Sequence, residues 1–157
     1  MKTFVVRQAV LSDIEKLTPL FDGYRQFYGA ASDPGAARKF LLDRFNHGES
    51  VLFIALEGEM AAGFAQLYPS FSSVLLRRTF VLNDLYVQDS FRRHGIARRL
   101  MSAAAEFAAR LGAGRLTLTT ATTNTRAQTL YESSGWKRDE QFITYHLAPI
   151  APSSGQP

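Results

Sequence analysis

The 157-residue chain contains no cysteine. Disulfides, thiolate metal sites and a thiol nucleophile are therefore excluded. Histidine is scarce: His47, His94 and His146 are scattered without a metal-ligand spacing, so no metal is expected. No apolar run is long enough to span a bilayer; the longest, such as Val51 to Leu56, have strand length. The N-terminus lacks a basic region followed by an apolar signal core, so no secretory or organelle address is expected, and with cysteine absent the cytoplasm is the simplest compartment. Charge of one sign is also limited. The net charge is +4, and the densest basic stretch is Arg92, Arg93, His94, Arg98 and Arg99, with Arg77 and Arg78 upstream. That cluster is too short for a duplex footprint but suffices for a few phosphates, so neither nucleic acid nor a membrane is an expected partner.

What is present is an ordinary globular composition, 46% hydrophobic and 20% charged, at a length that suits one domain. Residues 1–148 are expected to form it, and the tail from Pro149 (P-I-A-P-S-S-G-Q-P) to be disordered. Thr3 to Gln8 reads as a first strand. Ser12-x-x-Glu15 reads as a capping box, followed by helical spacing at Ile14, Leu17, Phe21, Tyr24 and Tyr28, with Pro19 expected to kink or split the helix. Asp33-Pro34 opens a second helix with Ala37, Phe40, Leu41 and Phe45 on its apolar face. Val51–Glu57 and Ala61–Tyr68 read as a hairpin around Gly58. Pro69 to Ser73 reads as a polar break, and Phe80 to Val87 is the strongest strand. A turn over Gln88 to His94 leads into an amphipathic helix from Ile96 to Leu111. Arg115–Thr120 reads as a strand and Asn124–Ser134 as a helix. Trp136–Arg138 and Phe142–Leu147 read as two last strands. The order βαα, three strands, then βαβ-like units implies a mixed α/β sheet.

The turn Arg92-Arg93-His94-Gly95-Ile96-Ala97 stands between the strongest strand and the most amphipathic helix. A helix N-terminus has unpaired N–H groups and partial positive charge, so it holds anions. Gly95 lets the backbone approach a bound group, Ala97 keeps the path open, and the arginines add charge. A pyrophosphate fits such a turn; a plain strand-to-helix connection that contains glycine is the alternative. The turn lacks the G-x-G-x-x-G spacing of a dinucleotide-binding fold.

A second segment decides between these. Asn124, Ala127, Tyr131, Gly135 and Trp136 follow the next strand with the spacing N…A-x-x-x-Y-x-x-x-G-W. Together with Arg92-x-x-Gly95-x-Ala97 and the strand N-D-L-Y-V, this pairing resembles the GNAT superfamily of N-acetyltransferases, with Trp136 in place of the usual Phe. The resemblance covers residues 3 to 148. It implies a mixed, mostly antiparallel twisted sheet flanked by about four helices, with a V-shaped acetyl-CoA cleft between the fourth and fifth strands. It also implies acetyl-CoA as co-substrate, direct transfer of acetyl to a primary amine, and frequent dimerisation, with Phe142–Leu147 as a strand able to pair across subunits.

An aliphatic amine has a pKa of about 10 and arrives protonated. Transfer requires loss of that proton, polarisation of the thioester carbonyl and protonation of the leaving thiolate. The resemblance places Tyr131 as the acid; a packed core tyrosine is the alternative. Asp84 is a lone acid in an apolar strand, a position that needs a reason. It is the candidate base or amine anchor, against a purely structural carboxylate. Asn83 falls on the opposite face, so both residues can serve one cavity only across a bulge. The resemblance puts backbone groups of Leu85, Tyr86 and Val87 against the acetyl and pantetheine groups. Arg92, Arg93, His94, Gly95, Ile96 and Ala97 would hold the diphosphate, and Asn124 and Ala127 would flank the pantetheine arm, with Asn124 also a natural N-cap.

The acceptor site is expected in the aromatic segment Phe21–Gly29, which resembles a subgroup including fungal histone and polyamine acetyltransferases and bacterial relatives. Tyr24, Arg25, Phe27 and Tyr28 are its candidates, although Phe21, Tyr24 and Tyr28 also fit a core stripe. Arg25 could clamp a carboxylate, suggesting an amino acid. Asp22 with Asp84 could hold a polycation. A small amine or amino acid is the favoured acceptor, with a polyamine or protein lysine as the alternative and a non-catalytic acyl-CoA sensor as the rival.

Overall fold

Alternating and continuous apolar runs build a five-stranded sheet whose spatial order follows the chain. β1 (Val5–Gln8), β2 (Val51–Glu57), β3 (Met60–Ser72) and β4 (Arg77–Val87) are antiparallel neighbours, and β5 (Arg115–Thr117) joins β4 in parallel. Between them lie α1 (Ile14–Phe27), α2 (Pro34–Asn46) and α3 (Ile96–Arg110), and α4 (Thr125–Ser133) follows β5. The structure, a computed structural model, describes residues 2–149, so the expected tail beyond Pro149 lies outside the described residues. The chain forms two compact units, the first ending at Ala121 and the second beginning at Thr122. Each is described by itself.

In the first unit the sheet is covered on both faces, which explains the unbroken apolar run of β2. Phe64 of β3 meets Phe21 of α1 edge-on, 6.1 Å between ring centroids. On the other face Phe107 of α3 meets Phe53 at 5.8 Å and Phe80 at 5.7 Å. Leu17, Leu20, Leu41, Leu52 and Ile54 fill the layer beneath α1 and α2. Truncating one of these fully buried leucines to Ala costs about 2–5 kcal/mol.

Several sequence expectations change. The reach-back bond forms two residues earlier: the Asp13 carboxylate, rather than Glu15, accepts, and it does so from the Val10 N–H at 2.8 Å. Glu15 instead pairs with Arg38. Pro19 does not divide α1, which runs unbroken to Phe27. The polar break at Pro69 is absent, because β3 continues to Ser72 with Pro69 opposite Phe80. β2 pairs with β3 only as far as Leu67, so Pro69 sits where that side of β3 has no ladder to interrupt. Leu111, expected on the apolar face of the third helix, is half exposed beyond its end.

β5 pairs with β4 only at Thr79, Phe80 and Val81, while β4 runs on to Val87. The fourth and fifth strands therefore part, as expected for a V-shaped opening.

In the second unit Asn124 caps α4 by accepting from the Ala127 N–H at 3.1 Å. Gly135, at φ +92°, closes it in the left-handed region. The two last expected strands do not form; residues 136–149 have no regular structure. Alternating apolar residues make a strand only when a ladder partner takes up the backbone groups. Phe142, Ile143, Tyr145 and Leu147 stand exposed.

Candidate active site

A one-residue bulge in β4 creates the site. Phe80 packs on α3, and strict alternation would send residues 82, 84 and 86 to the same face. Yet Tyr86 packs on Tyr24 of α1. The register explains the switch: Leu67 pairs with Leu82 but Gln66 pairs with Asp84, leaving Asn83 as the extra residue. The bulge turns Asp84 and Tyr86 toward α1. Both Asn83 and Asp84 then line one cavity of about 410 Å³, with Phe21, Tyr24 and Arg25 from α1, Ala36, Ala37 and Phe40 from α2, and Tyr68 from β3. Gly23 lets α1 settle over Tyr86, since a Cβ there would lie 3.2 Å from the Tyr86 hydroxyl.

Asp84 is 2% exposed. Burial pushes its carboxyl above the ordinary carboxylate range, while hydrogen bonds from Gln66, Asn83 and Tyr24 act in the opposite direction. The Gln66 amide donates to Asp84 and also to the Tyr68 hydroxyl, the latter at 3.1 Å. Asn83 donates to the other Asp84 oxygen at 2.9 Å. The Tyr24 hydroxyl reaches the Asn83 carbonyl at 3.3 Å. The Tyr24 and Tyr68 phenols are both raised, first by burial and then by the Asp84 charge. A carboxylate held with a raised proton affinity at a cavity wall is suited to anchoring an ammonium group and taking its proton.

The far end of β4 supplies backbone groups. The Gln88 N–H donates to the Ala62 carbonyl at 2.9 Å, so by alternation residues 86 and 88 face β3. Leu85 and Val87 therefore face away from β3, on the side where β5 has ended. The Val87 carbonyl accepts there from Arg92 Nε at 3.1 Å.

The turn that follows carries Arg93 at φ +65° and Gly95 at φ +73°, and α3 begins at Ile96 with no side-chain cap. Arg99 N–H is the first to return to the turn, donating to the Gly95 carbonyl at 3.1 Å. The N–H groups of Ile96 and Ala97 precede it at the first turn, where a helix supplies no acceptor of its own. Ile96 is buried, whereas Arg93, His94 and Gly95 are exposed. Arg92 is a strut as well as a charge: it also pairs with Asp89 at 2.8 Å and lies over the Phe27 ring. His94 Nδ1 faces the Arg92 carbonyl at 2.8 Å and the Phe91 carbonyl at 3.2 Å, so it donates there.

Residues 17–136 match the Acetyltransferase (GNAT) family. This chain is a GNAT acetyltransferase. It is 46% identical over 142 residues to an uncharacterized N-acetyltransferase, YhfO, of Bacillus subtilis, covering 90% of this chain and 95% of the relative. It is 34% identical over 113 residues to a thialysine N-epsilon-acetyltransferase of Caenorhabditis elegans, covering 70% and 68%. The crystal structure of a probable acetyltransferase superposes with a TM-score of 0.88 at 42% identity, covering 95% of this chain and 99% of that one.

Within this GNAT chain the anticipated residues divide into groups. Tyr24, Arg25 and Asp84 meet in one cavity. Phe27 and Tyr28 do not line it; they are 61% and 64% exposed at the C-terminal end of α1 and meet edge-to-face. Asp22, considered for a polycation, is also outside. Its carboxylate is buried and accepts from Ser32, the Asp33 N–H and Gln26, tying α1 to the start of α2. Of Leu85, Tyr86 and Val87, only the first and last turn their backbone away from β3, and the bulge lies earlier, at Asn83. Tyr131 lies on α4 in the second unit, with Trp136 packed 6.4 Å from its ring. Sequence reasoning missed Gln66 and Tyr68, and it admitted Asn83 to the cavity only on the condition of a bulge, which the register supplies. A lone amide in the apolar stretch A-A-G-F-A-Q-L-Y was the available signal for Gln66. Among the described residues no helix is long and apolar enough to cross a membrane, and no cluster of acidic or histidine side chains is arranged to hold a metal.

Proposed function

We propose that the protein transfers acetyl from acetyl-CoA to a primary amine on a small molecule or amino acid, by direct attack in a ternary complex. The carrying observation is the buried Asp84 carboxyl at the wall of a cavity of about 410 Å³ beside the open edge of β4. The amine enters as an ammonium, and Asp84 anchors it and accepts its proton. The free nitrogen attacks the thioester carbonyl, forming the C–N bond. N–H groups of Leu85 and Val87 face the developing oxyanion. Collapse breaks the C–S bond; Tyr131 donates its phenolic proton to the thiolate and regains one from the second proton the new amide nitrogen sheds, leaving the acetylated amine, CoA and the first proton on Asp84. The free N–H groups around Ile96 and Ala97, the left-handed Gly95 and the charge of Arg92 and Arg93 suit the CoA diphosphate, with His94 beside it. Asn124 and Ala127 flank the pantetheine arm. The protein then works in the cytoplasm on a small molecule, without nucleic acid, membrane or metal.

The name of the Caenorhabditis elegans relative supports an amino-acid acceptor. The resemblance of Phe21–Gly29 to the fungal subgroup favours a polyamine or protein lysine as the second reading. The exposed Phe142, Ile143, Tyr145 and Leu147 support pairing between two copies of the chain, which sedimentation at several concentrations checks.

Thiol release from acetyl-CoA, measured over polyamines, L- and D-amino acids, aminoglycosides and a Lys-rich peptide, tests the reading. Turnover with at least one amine is expected. Tyr131→Phe should slow kcat by about 10²-fold or more. An undiminished rate removes Tyr131 from the acid role, and release with no amine removes the proposal.

A further inference from the structure

The cavity that holds Asp84 also holds an arginine with one unsatisfied nitrogen. Arg25 Nη1 is buried and has no hydrogen-bond partner. Such a group is costly unless something satisfies it, because a buried N–H loses hydration without gaining an acceptor. Its natural partner in the same cavity would be Asp84. The carboxyl of Asp84 is instead engaged by Gln66 and Asn83. The groups that influence its ionisation are Gln66, Asn83 and Tyr24, and Arg25 is not among them. Asp22, one turn away, feels the Arg25 charge, but its hydrogen bonds come from Ser32, the Asp33 N–H and Gln26, so it leaves Nη1 unsatisfied. The cavity thus keeps one negative and one positive group apart, with the apolar side chains of Phe21, Ala37 and Phe40 also on its wall.

We propose that the acceptor is a free diamino acid, whose carboxylate docks on Arg25, whose methylene stem lies along Phe21 and Phe40, and whose side-chain amine reaches Asp84. The inference rests on the acetyl-transfer reading above. Two charges held apart match a substrate whose own charges are separated by a spacer. An α-amino group and its carboxylate, one carbon apart, would instead call for Arg25 and Asp84 in contact. A diamine lacks the anion that Arg25 needs. A lysine within a protein has its carboxyl group in a peptide bond, so it too leaves the guanidinium unpaired.

The test uses pairs of compounds that differ only in a carboxylate: L-ornithine against putrescine, and L-lysine against cadaverine, with acetyl-CoA as donor. We expect kcat/KM to favour the amino acid by about 10- to 100-fold, the range for a charged hydrogen bond made or lost. Mass spectrometry should place the acetyl group on the side-chain nitrogen. Arg25→Gln should collapse the preference toward unity, and Arg25→Lys should recover part of it; the ratio is read within each variant, so partial loss of fold does not mimic the effect. Equal or better turnover of the diamine by the unaltered protein overturns the inference, as does acetylation on the α-nitrogen or an unchanged ratio in Arg25→Gln. Turnover of neither pair, with thiol release on some other amine, overturns this inference and leaves acetyl transfer standing. Thiol release with no amine overturns both.

Discussion

Two buried aspartates in the same unit are treated in opposite ways. Asp13, 4% exposed, sits at the entrance to α1 with both oxygens on the Arg7 guanidinium, at 2.7 and 2.9 Å, and one also on the Val10 N–H. Its carboxyl lies below the ordinary range, chiefly through the Arg7 hydrogen bond. Asp84 shares a cavity with Arg25 but takes neutral partners, and its carboxyl lies above the ordinary range, chiefly through burial. The first arrangement closes a helix onto β1. The second leaves an acid ready to receive a cation and a proton. Whether the arginine is brought into contact or held away separates a structural carboxylate from a reactive one.

The strongest way to break this comparison is Asp84→Asn. Loss of the proton acceptor should lower kcat/KM by about 10²- to 10⁴-fold. Thermal unfolding should show equal or greater stability near neutral pH, because the variant no longer buries a weakly compensated charge. Asp13→Ala should do the reverse: a loss of about 1–3 kcal/mol by denaturant titration, tempered because Arg7 is partly exposed, with kcat/KM of the folded protein nearly unchanged.

The pH dependence of stability sharpens the contrast. Asp13, with a depressed carboxyl, contributes stability that is present above its unfolded value and lost as pH falls through the folded one. Asp84, with a raised carboxyl, binds its proton more readily in the folded state. Its contribution is fullest at low pH and declines as pH rises from the ordinary carboxylate value through the raised one. Unfolding free energies from acid to neutral pH should therefore lose the first trend in Asp13→Ala and the second in Asp84→Asn. The smallest expected change is in Gln66→Leu. Gln66 is fully buried and donates to the Asp84 carboxylate. Its removal should raise the acid limb of the kcat/KM profile with the fold retained.

Much of this was legible in the sequence because it depends on local patterns. The Asp33 cap accepts from the Ala36 N–H, and α3 buries Ile96, Leu100, Met101, Ala104 and Ala108 as its spacing implies. The lone acid in F-V-L-N-D-L-Y-V is in the cavity. What was hidden depends on long-range pairing. A bulge is a mismatch between two strands, so neither β3 nor β4 alone reveals that Asn83 is the extra residue. Pro69 read as a break because nothing local tells where β2 stops pairing. Asp22 and Phe27 both fall outside the expected acceptor site, since the connection between α1 and α2 takes up the acid while the end of α1 exposes the ring. The Phe142–Leu147 alternation carries strand propensity, but propensity supplies no partner.

The most direct test is the pH profile of kcat/KM for an accepted amine, compared between the unaltered protein and Asp84→Asn. Activity of the unaltered protein should fall on the acid side at a pH above the ordinary aspartate range. That limb should vanish in the variant, leaving a low residual rate. The same limb and the same rate in both proteins would contradict the assignment of Asp84 as the group that takes the amine proton.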